Sequence, residues 1–142
     1  MKIQPLSTSL WIAAPPSKVW QGLTDPELVQ QYLFGTRMET SLKPGEPIFF
    51  RGTWEGKVYE DKGTILAAVP LKRFAYTYWS SFSNLPDAPE YYKTITFELS
   101  PEGTGTQLKV AQQAGPGQNE PDESGSHWES VLTALKHLVE GT

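Results

Sequence analysis

The feature that most constrains this chain is a long succession of short segments with period-two patterning, followed by one amphipathic helix. Between Gly35 and Gln113 apolar and polar residues alternate, as they do in half-buried strands. The links between the segments are short, which favours antiparallel neighbours because a parallel crossover needs a helix-sized connection. The predicted strands span residues 36–42, 47–54, 57–69, 73–80, 91–100 and 106–112.

The residues before this succession predict one more strand and two short helices. Residues 6–13 alternate like a strand, and the proline pair that follows ends the pairing because proline lacks the amide hydrogen of a ladder. Residues 17–23 carry apolar side chains at helical spacing. A second helix is expected after Asp25, which can cap it, with Pro26 in the first helical position.

The C-terminal segment predicts the longest helix. Its start is open, because Ser126 heads a capping-box pattern whereas Asn119 precedes an acidic first turn. Gly141 is expected to end it. Its apolar residues recur at helical spacing and form a wide stripe. The stripe consists of Trp128, Val131, Leu132, Leu135, Leu138 and Val139.

Together these elements predict a single α+β domain over residues 1–142. We expect a curved antiparallel sheet of about seven strands, with two short helices after the first strand and the long C-terminal helix lying across the sheet. The C-terminal helix has the only stripe long enough to cover the buried face of such a sheet. A strongly curved sheet and a straight helix fit imperfectly at the centre, so a cavity can form between them, although the elements do not require one.

A tight turn at Glu55-Gly56 would fix the register of the two strands that it joins. It would place Arg51 opposite Glu60, as a surface cross-strand pair, and Phe50 opposite Asp61. A one-residue bulge would reverse the facing of residues beyond the bulge. The more apolar face is assigned to the interior, and it carries Ile48, Phe50, Trp54, Tyr59, Asp61 and Ile65.

Residues of this inward face, of two later strands and of the last helix are the candidate lining of a ligand cavity. A buried tyrosine or tryptophan needs a partner for its polar atom, and a ligand or a trapped water would supply one. Ordinary core packing explains the same pattern equally well. The candidate residues are Phe50, Trp54, Tyr59, Ile65, Tyr76, Tyr78, Phe97, Trp128, Leu132 and Leu135.

Asp61 is the sharpest single candidate for chemistry, although the sequence shows no complete catalytic constellation. Burial disfavours the charged form of a carboxylate, so an inward-facing Asp61 would serve as a general acid or as an anchor for a ligand. The alternative is a solvated carboxylate near the open end of the sheet. Ser80 lies in no nucleophile-elbow motif, and His127 and His137 lie ten residues apart on one helix and cannot share a metal ion. No metal or cofactor is therefore predicted, and a binding role is favoured over an enzymatic one.

Composition argues against several other classes of protein. The net charge is −4, and no basic cluster is longer than residues 71–73, so the stripe that a nucleic-acid binder needs is missing. No stretch approaches the roughly 18 apolar residues of a membrane helix. The absence of cysteine excludes disulfides and thiolate chemistry. The first residues lack the apolar core of a signal peptide, so the expected location is the cytoplasm.

Four stretches of the chain follow the sequence pattern of one known family. They are Ile12-Ala13-Ala14-Pro15 with Val19-Trp20 and residues 23–26, Gly63-Thr64-Ile65 with Val69-Pro70 and Arg73-Phe74, Gly105-Thr106-Gln107-Leu108, and the helical set Gly125, Trp128, Leu132, Leu135-Lys136 and Glu140-Gly141. On these residues the chain resembles the START-like, or SRPBCC, superfamily, and within it the homologues of the activator of heat-shock-protein-90 ATPase. It departs from that family at Tyr32, where a tryptophan is usual, and at Gly45-Glu46, where two glycines are expected.

The resemblance implies the helix-grip fold, with a ligand cavity between the sheet and the C-terminal helix. It implies no set of catalytic residues shared by all members, and the fold does not choose among their functions. Three functions stay open. The first is binding of a small hydrophobic molecule, lipid-like or aromatic. The second is a co-chaperone-type interaction module, with a chaperone or a homodimer partner. The third is a cyclase-like or hydrolytic enzyme that uses Asp61 with a cavity tyrosine.

Overall fold

A computed structural model of the chain describes residues 6–33, 35–80, 86–113 and 124–141, apart from the side chains of Leu6, Trp54 and residues 124–127. Its elements are β1 (Leu6–Ile12), α1 (Pro16–Thr24), α2 (Pro26–Tyr32), β2 (Arg37–Thr40), β3 (Pro47–Trp54), β4 (Lys57–Val69), β5 (Arg73–Tyr78), a 3-10 turn (Pro89–Tyr91), β6 (Lys93–Glu102), β7 (Gly105–Gln113) and α3 (Ser124–Glu140).

The seven strands form one curved antiparallel sheet in the order β1-β7-β6-β5-β4-β3-β2. Apart from the pairing of β1 with β7, each strand from β2 to β7 pairs with the next strand along the chain. The links between these strands are short, except for the one between β5 and β6, which contains the 3-10 turn. The apolar stripe of α3 is buried against the core, with Leu132 and Leu135 at most 1% exposed. The predicted α+β architecture, with two short helices after β1 and a C-terminal helix over the sheet, is confirmed.

Asp25 separates the two short helices and serves both of them. Its backbone N–H donates to the Gln21 carbonyl at 2.8 Å and ends α1. Its Oδ1 accepts from the Glu27 N–H at 3.0 Å and caps α2, in which Pro26 is the first helical residue, as predicted. One residue therefore fixes the angle between α1 and α2.

Helix α3 is connected to the end of β1 at its C-terminal turn. Glu140 Oε2 accepts from the Ala13 N–H at 2.7 Å and pairs with Lys136 Nζ, which also donates to the Trp11 carbonyl at 3.1 Å. The predicted helix start at Ser126 is wrong, because the helix already includes Ser124 and Ser126 lies within it. The alternative start at Asn119 lies outside the described residues.

The ends of two strands differ from the prediction for local reasons. The strand expected over residues 36–42 is shorter than predicted, since β2 spans Arg37–Thr40. It ends there because Leu42 adopts a left-handed backbone with φ 61° and its N–H donates to Thr40 Oγ1 at 3.0 Å. The strand expected from residue 91 begins at Lys93, because Pro89–Tyr91 form a 3-10 turn.

The β3–β4 hairpin has the predicted register. Glu55 and Gly56 have φ values of 49° and 80°, the positive pair of a tight hairpin turn, and Phe50 pairs with Asp61. Arg51 pairs with Glu60 and contacts its carboxylate at 2.7 Å. A register shift in the pairing of β4 with β5 lies between Ile65 and Ala67. The residues assigned to the inner face of the sheet all precede this shift, so it does not change their assignment.

Gly63 lets β4 and β5 approach closely where the sheet bends. A Cβ at this position would lie 1.6 Å from the Thr77 carbonyl oxygen, so no other residue fits without moving the backbone. Thr77 Oγ1 accepts from the Thr64 N–H at 2.9 Å beside this contact. The regular pairing of β5 ends at Tyr78, and Trp79 continues it only as a single bridge to Lys62, so the strand expected over 73–80 is shorter than predicted.

Candidate functional site

A row of aromatic rings crosses the inner face of the sheet and ends at α3. Phe50 on β3 lies 5.5 Å from Tyr76 on β5, ring centroid to ring centroid. Tyr76 lies 6.4 Å from Phe97 on β6, and Phe97 meets Trp128 of α3 edge to face at 5.8 Å. The row forms because strand alternation puts these residues on one face and antiparallel pairing puts them side by side. It places a helix residue and three strands around one apolar interior.

The structure brings most of the predicted lining residues together in this interior. Tyr78 also belongs to the group, because it is half-buried and lies edge to face with Phe50 at 5.6 Å. Their burial fits a packed core as well as a cavity wall, so the lining role stays a prediction. The buried members of the predicted set are Phe50, Ile65, Tyr76, Phe97, Trp128, Leu132 and Leu135.

Two predicted lining residues stand apart from this group. Tyr59 is half-buried, and its ring lies over Gly52, where a Cβ would come within 2.4 Å of the Tyr59 hydroxyl oxygen. That hydroxyl is hydrogen-bonded to Thr36 Oγ1, just before β2. Tyr59 therefore lies toward the β2 edge of the sheet. The side chain of Trp54 is outside the described part of the chain.

Trp128 has a buried polar partner that the sequence reading missed. Its indole Nε1–H donates to Gln112 Oε1 at 2.8 Å, and Gln112 is 5% exposed. The alternation of β7 puts Gln112 on the same inward face as Leu108 and Val110, so this signal was present in the sequence. The bond fixes the beginning of α3 against the last strand.

Asp61 is buried on the inner face, so the alternative of a solvated carboxylate is wrong. It is 6% exposed, and its Oδ2 accepts from the Tyr78 hydroxyl at 2.6 Å. Burial raises the pKa of Tyr78 well above its ordinary value, and the charge of Asp61 and this hydrogen bond raise it further, while a hydrogen bond with Ser80 acts in the opposite direction. Tyr78 therefore stays protonated and donates to Asp61, and a catalytic role for Asp61 stays a prediction.

Tyr76 carries a buried hydroxyl for which the described residues supply no hydrogen-bond partner. The side chain is 6% exposed, and burial raises the pKa of its phenol. The Tyr76 phenol in turn raises the pKa of Tyr32 and of Tyr78, after burial in both cases, so the three phenols lie near one another. The Tyr32 hydroxyl donates to the Gly22 carbonyl at 2.8 Å, and Tyr78 donates to Asp61. Among these phenols, Tyr76 is the one that a ligand or a water would satisfy.

A concave feature of the surface lies outside this interior. A solvent-open groove of about 650 Å³ runs between the β4–β5 turn, the start of α1 and the end of β6. Its apolar residues include Val69 and Leu71, which are 46% and 42% exposed, and Lys72 and Arg73 stand beside them. None of the predicted lining residues contributes to this groove.

The described ranges offer no alternative site of two other kinds. They contain no group of histidine, aspartate and glutamate side chains that would hold a metal ion. Within them, no helix has both the length and the apolar character to cross a membrane.

Comparison with known proteins identifies relatives over nearly the whole chain. The sequence model of the family described as Activator of Hsp90 ATPase homolog 1-like protein matches residues 13–140. The solution structure of protein ChR145 from Cytophaga hutchinsonii is 34% identical, with coverage of 99% of this chain and 97% of that chain and a TM-score of 0.83. Protein NE0264 from Nitrosomonas europaea is 27% identical, with coverage of 96% and 94% and a TM-score of 0.77. Protein MLL2253 from Mesorhizobium loti is 25% identical, with coverage of 98% of each chain and a TM-score of 0.76. No curated protein matches the chain.

Proposed function

The chain belongs to the Activator of Hsp90 ATPase homolog 1-like family, and from that membership we propose that it binds a small hydrophobic or aromatic molecule between α3 and the inner face of the sheet. The proposed role is binding without chemistry. The resemblance to START-like proteins, which the family match and the solved structures bear out, implies a ligand cavity at this place.

The observation that carries this proposal is the Tyr76 hydroxyl. The ring that carries it packs against the rings of Phe50, Phe74 and Phe97, at centroid distances of 5.2–6.4 Å, and the side chain is buried. A buried hydroxyl without a partner costs about 1–3 kcal/mol, so natural proteins rarely leave one unsatisfied. A bound molecule with one polar group would remove that cost and would bury its apolar part against the rings.

The polar groups around the aromatic row also fit a binding site. Ligand sites are mostly apolar and contain a few polar groups that orient the ligand. Here the Asp61–Tyr78 pair lies on one side of the row and the Gln112–Trp128 pair lies on the other. Both pairs are held by hydrogen bonds, so they are fixed in position before a ligand arrives.

A size-filling variant tests whether ligand space exists beneath α3. We expect Leu132→Trp to abolish binding of a panel of fatty alcohols, fatty acids, flavonoids and naphthalenes, followed by native mass spectrometry. If the space is there, the larger side chain enters it and the free energy of unfolding changes by less than about 1 kcal/mol. Leu66→Trp is the control, because Leu66 is 48% exposed and lies on the outer surface.

Two results would contradict the proposal. One is that no compound of the panel binds the wild-type protein. The other is that Leu132→Trp destabilises the fold by about 1–3 kcal/mol or more, as overpacking of a filled core does.

A second candidate function is stimulation of an Hsp90-class ATPase, and the exposed groove favours it. Val69 and Leu71 offer apolar surface next to two cations, a composition suited to docking on another protein. The test is the ATPase rate of such a chaperone with the wild-type protein and with Leu71→Asn, which suits the left-handed backbone at this position (φ 68°). Stimulation by the wild type that Leu71→Asn loses supports this function, and an unchanged rate with the wild type excludes it. Val58→Ser is the control, because Val58 is 84% exposed and distant in sequence from the groove.

A further inference from the structure

We infer that the polar group which the ligand buries is uncharged, such as a hydroxyl or a carbonyl that pairs with the Tyr76 hydroxyl, and that Asp61 rejects ligands whose buried group is a carboxylate. This inference rests on the proposed function and specifies the chemical class of the ligand at the same site.

The Tyr76 hydroxyl is suited to a neutral partner. A phenol donates one hydrogen bond and accepts others, so a ligand hydroxyl or carbonyl satisfies it without bringing charge into the interior. The ring that carries this hydroxyl packs against the apolar rings of Phe50, Phe74 and Phe97, and the phenols of Tyr32 and Tyr78 lie near it. Burial of an ion in such surroundings is costly unless an opposite charge pairs with it.

Among the described residues, the one buried charge has the wrong sign for an anionic ligand. The Asp61 carboxylate is buried and bonded to Tyr78, whose phenol lies near that of Tyr76. After burial, the charge of Asp61 is the next largest cause of the raised pKa of Tyr78, because a second negative charge beside the first is unfavourable. Asp61 also pairs with Phe50, whose ring lies 5.5 Å from that of Tyr76, so a ligand carboxylate placed on the Tyr78 side of Tyr76 would meet the same repulsion.

Within the described residues, no basic side chain is buried to offset that repulsion. The buried polar and charged residues there are Asp61, Thr106 and Gln112. Lys62 and Lys136, which are partly exposed, are paired with Asp87 and Glu140. Arg51 is held between two glutamates on the outer face.

Among the described strand residues, the register places two cations on the same face as Tyr78, the exposed Lys57 and Lys93, and Lys93 is the half-buried one. It pairs with Tyr78 at the first residue of β6 and is half-buried, so it lies at the rim of the interior. A ligand can pair its anionic group with Lys93 only if the apolar part of the ligand points into the interior. The Tyr76 hydroxyl would then stay without a partner. Ligands with a neutral polar group at the buried end are therefore favoured.

Three compounds of matched shape test this inference: naphthalene, 2-naphthol and 2-naphthoate, which is ionised at neutral pH. Their dissociation constants can be measured from the NMR shift of the Trp128 indole N–H. We expect 2-naphthol to bind about fivefold more tightly than naphthalene, the factor that one net hydrogen bond supplies, and 2-naphthoate to bind most weakly.

Variants assign these differences to single groups. Tyr76→Phe should make the affinities for 2-naphthol and naphthalene equal, because it removes only the hydroxyl. Asp61→Asn keeps an acceptor for Tyr78 and removes the charge, so it should tighten binding of 2-naphthoate while 2-naphthol is unaffected. Glu60→Gln is the matched control, since it removes a negative charge from the outward side of the same strand, and it should change neither affinity.

The possible failures are distinguishable. If neither these three compounds nor any member of the wider panel binds, the proposed function is wrong and this inference falls with it. If all three bind equally, or if 2-naphthoate binds as tightly as 2-naphthol, the protein binds hydrophobic molecules but does not select uncharged ones. If Asp61→Asn leaves the affinity for 2-naphthoate unchanged, Asp61 is not the selecting group.

Discussion

Tyr32 and Tyr76 lie in the same apolar interior, and burial raises the pKa of both phenols. The Tyr32 hydroxyl donates to the Gly22 carbonyl at 2.8 Å, as the hydroxyl of a buried tyrosine normally does. The Tyr76 hydroxyl has no such partner among the described residues. Since the two residues share chemistry and burial, the difference between them isolates the effect of one unsatisfied hydroxyl.

Removal of each hydroxyl should therefore change stability in different ways. We expect Tyr32→Phe to lower the free energy of unfolding by about 1–2 kcal/mol, because the Gly22 carbonyl loses its partner. Tyr76→Phe should leave that free energy unchanged or raise it by up to about 1 kcal/mol, because it removes an unsatisfied buried group. Urea unfolding of the ligand-free proteins measures both changes. An equal loss in the two variants would show that the Tyr76 hydroxyl is already satisfied within the protein.

For most residues at the site, the sequence predicted the face of the sheet on which the side chain lies. It did not predict the hydrogen-bond partners of those side chains. Alternation along β3 and β4 put Phe50 and Asp61 on the inner face, where both are buried. The bond from Tyr78 to Asp61 depends on how β5 lies beside β4 next to the close approach at Gly63. No pattern in the sequence reports that approach, so the sequence associated Asp61 with a cavity tyrosine only as one open function and did not identify Tyr78 as its hydrogen-bond partner.

At the scale of elements, Gly22 sets how closely α1 packs on α3. A Cβ at this position would lie 2.7 Å from Leu135 Cδ1 and 2.9 Å from Val139 Cγ1, both in buried side chains. In an exposed helix, replacement of glycine by alanine gains up to about 1 kcal/mol. Here the added methyl group must displace core side chains, which costs about 1–3 kcal/mol.

We therefore expect Gly22→Ala to destabilise the protein by about 1 kcal/mol in thermal or urea unfolding, although the higher helix propensity of alanine alone would stabilise it. Val139→Ala in the same chain should recover part of the loss, because it makes room for the new methyl group and the two sites are coupled. Gln21→Ala, at the exposed neighbouring position, is the control and should have little effect. A stabilised Gly22→Ala variant would mean that the two helices are not in contact at this point.

The connection between α3 and β1 should make stability sensitive to acid. The hydrogen bond with Lys136, followed by the bond from the Ala13 N–H, lowers the pKa of Glu140 below its ordinary value of 4.5. A carboxyl group with a lowered folded-state pKa contributes stability that is present above its unfolded pKa and is lost as the pH falls through the folded value. Between pH 7 and pH 3 the wild type should thus lose more stability than Glu140→Gln. The measurement is urea unfolding at several pH values, and parallel curves for the two proteins would contradict the expectation.

Elements were predictable where a local signal fixes them. The turn at Glu55-Gly56 needs positive φ at two residues, so it determined the register of β3 and β4 from the sequence alone. The ends of elements were not predictable to the same degree. Leu42 has a left-handed backbone, although this conformation is usually indicated in a sequence by glycine or asparagine. The residues of the 3-10 turn, Pro89–Tyr91, have a pattern that also fits a strand.

At the scale of the whole molecule, two regions compete as the binding site. One is the interior between α3 and the sheet, in which Tyr76 is buried. The other is the open groove beside Val69 and Leu71. Strand order and the stripe of α3 predict the first from sequence, because a curved sheet needs a helix to cover it. The groove has no such signal, since it arises where the β4–β5 turn, α1 and β6 happen to approach one another.

Xenon titration under pressure, followed by the backbone amide signals in NMR, distinguishes these two regions directly, because xenon enters apolar cavities that are large enough to hold it. If there is space for a ligand beneath α3, the amide signals of Phe97, Leu132 and Leu135 should shift and reach saturation. The shifts at Val69 and Leu71 should be weaker and should not reach saturation. Saturable shifts at the groove alone, or at neither place, would mean that side chains fill the interior and that no hydrophobic molecule binds there.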